Sequence, residues 1–335
     1  MRIKLNLDSL AMMLFCARLK AYKEVPLTTD EWQMVEQSIR KKGLSGPASL
    51  LSMTRNELED ILEINEFIAY KMVKRLSTLN LFLSVLNNLE NNGINITTKY
   101  EENYPIRLVK HLKKRAPLYL FYCGNIENIK DGISLAGLTK VSKKDRTYTK
   151  KLVDKIIDNN LSYISNDSKG IDEIALHYAL KRGGSCVNFV CERLAAKQSD
   201  FKRYLKLGCL VMLSAEDPYC YFDITNAIDR NSYVCALSKY QIVISSSINN
   251  GATWFTALQN LHNNWTVPLA VEGLYLGNDR LLDMGVTPIY VKDILSDDSF
   301  DKIYDKNKNN IEVTEINIDQ MSIFEFIGDT NESRI

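Results

Sequence analysis

The strongest constraint on this chain is a change of rhythm at residue 133. From there to residue 291, short apolar runs bounded by turn residues alternate with helical stretches. Parallel strands need long crossovers, and a helix is the usual one, so the alternation predicts a parallel sheet with helices on both faces. The runs at 133–138, 161–165, 185–191, 209–213, 241–246, 266–271 and 287–291 read as strands. The stretches 148–159, 172–182, 201–207, 225–238, 253–263 and 278–284 read as helices. The class is α/β: a doubly wound, mostly parallel sheet.

In such sheets ligands bind beyond the C-terminal ends of the strands. The segments there read Gly137-Leu138-Thr139-Lys140, then Ser165-Asn166-Asp167-Ser168-Lys169-Gly170-Ile171-Asp172, and, after the fifth run, Ser245 through Thr253. All three are small, polar and glycine-containing, and each leads into a helix whose free backbone N–H groups favour anions. Three such loops on one edge point to phosphate. No G-x-G-x-x-G follows the first strand and no G-x-x-x-x-G-K-[ST] occurs, so neither a nicotinamide dinucleotide nor a P-loop nucleotide is indicated.

The first 95 residues are of another kind. Thr28-x-x-Glu31 and Thr54-x-x-Glu57 are capping boxes, with Leu27/Trp32 and Met53/Leu58 as staple pairs. Gly43 and Gly46-Pro47 mark a stop and a loop, Leu58 to Leu76 carries a helical stripe, and a further helix covers 79–89. This is a small helical domain of the kind found in sterile-alpha-motif or helix-hairpin-helix modules, structural, dimerising or gripping a DNA backbone. Arg2 and Lys4 precede the apolar run 10–17, as in a signal peptide. Asp8, Arg18 and the missing cleavage site make that run a core helix instead. No segment reaches the ~18 apolar residues of a membrane span.

The net charge of +1 hides an asymmetry: residues 293–335 hold 4 Lys/Arg against 11 Asp/Glu, a net −7, which leaves +8 on residues 1–292. A basic body suits a polyanionic partner, and the acidic tail aids solubility. The seven cysteines form no C-x-x-C, which predicts reduced core thiols in a cytoplasm. The three histidines do not cluster with cysteine pairs, so no metal is expected. His177 reads as a satisfied structural histidine on a core-adjacent helix, and Asp172 as a capping or dipole contact. No nucleophile has an evident base, and no enzyme or cofactor is expected.

The order of segments resembles the DNA-processing protein A (DprA/Smf) family. Glu101 through Leu108, then Ala116-Pro117-Leu118-Tyr119-Leu120 and Gly124, is similar to its "YP..L....aPP.L...G" lead-in. Ser165 through Asp172 with His177, Ala179-Leu180 and Gly183-Gly184 resembles "SGlArGID..aH..AL..GG". Asp229-Arg230-Asn231-Ser232 with Leu237-Ser238 resembles "RRNRiiagLS", and Asn250-Gly251-Ala252 with Thr256-Ala257 resembles "SGsliTA". Ala270 to Gly273 resembles "aVPG", and Gly277, Arg280-Leu281-Leu282 and Gly285 resemble "GtNrLI.eGA". The match spans about residues 90–290.

The departures are specific. "VGSR" is Ala136-Gly137-Leu138-Thr139, with Lys140 adjacent; Asn166 and Lys169 replace a glycine and an arginine; only Arg230 of the "RRNR" arginines remains; and Glu272 replaces the proline.

The resemblance implies a Rossmann-like domain over 96–295 that binds single-stranded DNA and recruits a RecA-like recombinase as a homodimer, in uptake or recombination. The implied contacts are Lys140, Lys169, Gly170, Arg230, Asn231, Gly251 and Thr253. Lys143, Lys144 and Arg146, and the group Arg107, Lys110, Lys113, Lys114 and Arg115, would extend a basic track or, as for any such cluster taken alone and the 107–115 group above all, form a solvated helix face. Tyr219, Tyr221 and Phe222 offer stacking surface or packing. The alternative on the same pocket is nucleotide sensing or processing, as in phage defence.

Residues 296–335 form the acidic tail. Residues 296–310 read as a linker or solvated surface, and 311–318 alternate like a strand. Gln320-Met321-Ser322-Ile323-Phe324 resembles a bacterial sliding-clamp binding peptide, with Gln320 at the pocket rim and Ile323 and Phe324 as anchors.

Overall fold

The computed structural model describes residues 4–309. The chain opens with α1 (Leu7–Cys16), α2 (Thr29–Lys41), α3 (Arg55–Leu62), α4 (Glu66–Ser77) and α5 (Leu79–Asn91). Both capping boxes form, with Thr28 and Thr54 accepting from the N3 amides and Glu31 and Glu57 reaching back. The stripe from Leu58 to Leu76 is two helices rather than one. Glu63 takes a left-handed conformation, and the Asn65 side chain caps α4 by accepting from the Ile68 amide, so local hydrogen bonding outcompetes a continuous helix.

The rest is β1 (Asn95–Thr98), α6 (Ile106–Leu112), β2 (Tyr119–Cys123), β3 (Gly132–Ala136), α7 (Lys143–Asp158), β4 (Ser162–Ser165), α8 (Ile171–Lys181) and β5 (Cys186–Phe189). Then follow α9 (Leu194–Asp200), α10 (Lys202–Lys206), β6 (Leu210–Ser214), α11 (Ile224–Leu237), β7 (Ser238–Val243) and α12 (Gly251–Asn263). The chain continues with β8 (Val267–Val271), α13 (Leu276–Asp283), β9 (Thr287–Ile289), α14 (Val291–Leu295) and α15 (Phe300–Asn307). All seven expected strands are present.

The nine strands form one sheet in the order β1-β2-β6-β5-β4-β3-β7-β8-β9. β6 through β9 in that order are parallel; β2 and β1 add on antiparallel at the β6 edge. Alternate residues go to opposite faces. Leu210 and Met212 join α1, α7 and α8 in one core, while Val211 and Leu213 join α6 and α11 in another. Val243 and Ala270 pack under α12 and α13. Both faces are therefore covered, as a parallel sheet requires.

The N-terminal helices share the first of these cores. Ser9 on α1 meets Thr98 on β1 hydroxyl to hydroxyl at 2.7 Å, and the Asn6 amide donates to Glu101. Residues 300–307, expected as linker, are instead a helix seated by buried Phe300 and Ile303. Asn307 donates to the Pro288 carbonyl and to Asp293, and buried Lys155 donates to the Ser296 and Asp298 carbonyls. The expected strand 311–318 and the clamp-like peptide 320–324 lie outside the described residues. Among the described residues no helix is long and apolar enough to cross a membrane.

Candidate functional site

From β3 the chain turns to β4 on one side, and from β7 to β8 on the other. Their C-terminal ends thus flank the switch point where open α/β sheets bind ligands. Three loops interlock there. The Leu138 amide donates to Ser245 Oγ at 3.0 Å, and the Thr253 hydroxyl donates to the Gly137 carbonyl at 3.0 Å. At Gly170 φ is +86°, and a Cβ would lie 2.6 Å from the Leu138 carbonyl oxygen, so any side chain is both strained and obstructed. At Gly137 a Cβ would meet Ile171 at 2.5 Å. These glycines let the backbones approach.

Asp172 organises the loop before α8. It accepts from Tyr163 Oη at 2.5 Å, Ser165 Oγ at 2.9 Å, and the Ser168 and Asn166 amides at 2.9 and 3.3 Å. Burial outweighs these donors and pushes its carboxyl up to about 6. The sign follows from linkage. The folded chain binds this proton more tightly than the unfolded one, so its contribution to stability falls as pH rises from 3.8 to about 6 and is then flat. Urea unfolding at pH 4.5 and 7 is expected to show wild type losing about 2 kcal/mol relative to Asp172→Asn across that interval. Parallel behaviour of the two proteins counts against this titration.

Across the crevice, Arg230 and Asn231 come from α11. Asn231 accepts from Asn166 Nδ2 at 3.0 Å and from Arg230 Nε at 3.3 Å, and it donates to Thr256 Oγ1 on α12 at 3.1 Å. Asn188 donates to Asp167, which also pairs with Lys197. The Asn166 and Asn188 carbonyl oxygens are buried without a partner. Arg230 itself is only 7% exposed, and no carboxylate among the described residues lies within ion-pair distance of it. Asn278, buried on α13, donates to the Val243, Ile244 and Val271 carbonyls and ties the ends of β7 and β8.

The sequence-derived residues divide accordingly. Gly170, Gly251, Thr253, Arg230 and Asn231 meet at the crevice, the last two buried rather than displayed on the rim. Lys169 is exposed on its lip, as is Lys140, which has partners of its own. Lys143, Lys144 and Arg146 stand exposed in the first turn of α7, after β3.

The 107–115 group does not extend this track. Arg107 donates to the Ala236 and Ser238 carbonyls, at the entry to β7, and sits by Asp131 before β3. Arg115 lies over Trp265 beside Asp229. That group therefore flanks α11 toward the opposite end of the strands. His177, on α8, is exposed and stacks on Phe201. Reasoning from sequence missed Asn188, Lys197 and Asn278, whose polar side chains on apolar-patterned elements were the available signal. Among the described residues no three His, Cys, Asp or Glu side chains cluster as a metal site.

The model of the family "DNA recombination-mediator protein A" matches residues 95–297, which takes in the whole crevice. The chain belongs to that family. The solved structure of DNA processing protein A from Streptococcus pneumoniae is similar, with a TM-score of 0.63 at 20% identity over 82% of this chain and 94% of that one. DNA processing protein A from Helicobacter pylori, described by its single-stranded DNA binding mode, aligns at a TM-score of 0.49 and 15% identity over 61% of this chain and 94% of that one. No curated protein matches.

Proposed function

We propose that this chain is a non-catalytic mediator that holds single-stranded DNA by its backbone at the crevice and passes it to a RecA-like recombinase. The observation that carries the reading is Arg230. Arg230 is nearly buried, and its guanidinium meets one amide oxygen through Nε, so its terminal N–H groups stay open toward the crevice. A phosphate is the ligand that such a fork of donors would take. Lys169, with no ion-pair partner among the described residues, adds a point charge on the lip. Backbone N–H groups at the start of α12, near Gly251 and Thr253, add uncharged donors. Such contacts bind without reading sequence and weaken with salt.

The test is fluorescence anisotropy with a labelled single strand and its duplex at several salt concentrations. Preference for the single strand is expected. Lys169→Ala is expected to reduce the slope of log K against log salt by about 0.7, one phosphate contact. An unchanged slope removes Lys169 from the site, and absence of single-strand binding at low salt defeats the reading. Tight binding of a mononucleotide instead would favour the sensing alternative.

A further inference from the structure

We infer that the loop between β6 and α11, residues 215–223, is a base-stacking platform that extends the strand's path from the crevice toward the N-terminal helices. The inference rests on the single-strand reading just given and adds a second site to it. The loop leaves the C-terminal end of β6, on the same sheet edge as the crevice. It is built rather than loose: the Ala195 and Arg193 amides donate to the Pro218 and Cys220 carbonyls at 3.0 Å, locking it to the segment after β5.

This backbone presents three aromatic side chains to solvent: Tyr219 is 45%, Tyr221 74% and Phe222 50% exposed. They are not packing residues. The acidic residues that flank the rings, half-buried Asp217 and exposed Asp223, are engaged by backbone donors. Asp217 accepts from the Lys20 and Tyr219 amides, and Asp223 accepts from the Thr225 and Asn226 amides as the cap of α11. Each carboxylate has two N–H donors that offset its charge beside the rings. A cation joins them there, with Lys20 Nζ 5.3 Å from the Tyr221 ring centre.

The spacing suits a strand already held at Arg230. α11 starts directly after the loop, and Arg230 lies six residues into it, about 9 Å at 1.5 Å per residue. That is about three stacked nucleotides at ~3.4 Å each. Aromatic faces beside a basic backbone groove are how proteins take up unstacked bases without selecting among them. The occupant is therefore the nucleobases of the same single strand.

The experiment compares labelled 20-nucleotide oligothymidylate with an abasic deoxyribose-phosphate oligomer of equal length, which carries the same charges without bases. Wild type is expected to bind the thymidylate about tenfold or more tighter than the abasic oligomer. Tyr221→Ala/Phe222→Ala is expected to erase that difference while leaving abasic binding unchanged, and Tyr221→Phe to keep it. If the double variant binds thymidylate as wild type does while Arg230→Ala is impaired, the platform is overturned and the single-strand reading stands. An equal loss on both oligomers also overturns it, because the rings would then not be meeting bases. If wild type binds neither oligomer, both the platform and the single-strand reading fall.

Discussion

Arg75→Met is expected to lower the stability of the chain by about 3–5 kcal/mol. Arg75, on α4, is fully buried, and its guanidinium donates to the carbonyls of Leu14, Ala17, Glu24 and Val25. Leu14 and Ala17 lie at the C-terminal end of α1, where carbonyls have no partner within the helix. The other two lie in the connection leading to α2. One side chain thus closes the end of one helix and fixes the path to the next, with the Tyr22 ring 4.7 Å from it. Methionine fills the volume and leaves four carbonyls without this donor, the two on α1 buried and the other two partly so, at ~1 kcal/mol or more each. Chemical unfolding monitored by circular dichroism measures the loss. A change below about 1 kcal/mol would mean that water or a rearranged loop satisfies those carbonyls.

The doubly wound sheet was legible because its signal repeats. Seven apolar runs at helical spacing leave a parallel sheet as the economical solution, and neighbouring residues such as Val211 and Met212 do face opposite cores. β1 and β2 were not legible. Residues 95–98 read Asn-Ile-Thr-Thr with one strongly apolar residue, and 119–123 fall in the lead-in segment, before the strand–helix alternation begins at 133. Their strand character comes from pairing with each other and with β6, a partner more than 85 residues away from β2. The break at Glu63–Asn65 was hidden for the opposite reason: the apolar stripe keeps helical phase across it, and only the Asn65 cap betrays the stop.

At the site, position was legible and exposure was not. Loop composition located the crevice, since glycines such as Gly137 and Gly170 are demanded by contacts of 2.5–2.6 Å. Nothing in a one-dimensional pattern distinguishes an arginine on the rim from one beneath it, because α11 presents both Asp229 and Arg230 within one turn. The polar network of Asn166, Asn188 and Asn231 was invisible for a related reason. An asparagine after a strand reads as turn chemistry, and only its burial against two further amides makes it part of a site. The 107–115 cluster erred the other way: basic in sequence, it is tied to α11 by carbonyls and Asp229.

Arg230→Met is expected to separate binding from stability. A charge-assisted contact to phosphate contributes about 1.5–3 kcal/mol, so single-strand affinity at low salt should fall roughly 10–100-fold. The fold should lose less than about 1 kcal/mol, because the substitution removes a cation whose one acceptor among the described residues is an amide oxygen. The contrast with Arg75 gives the test its force. Both arginines are buried, but four carbonyls face Arg75 while Arg230 has one amide and no carboxylate within reach among the described residues. Were Arg230 another structural arginine, the same substitution would lower stability and affinity together. Anisotropy and urea unfolding on one preparation read both quantities. Loss of affinity with stability retained assigns the guanidinium to the ligand, and loss of stability assigns it to the fold.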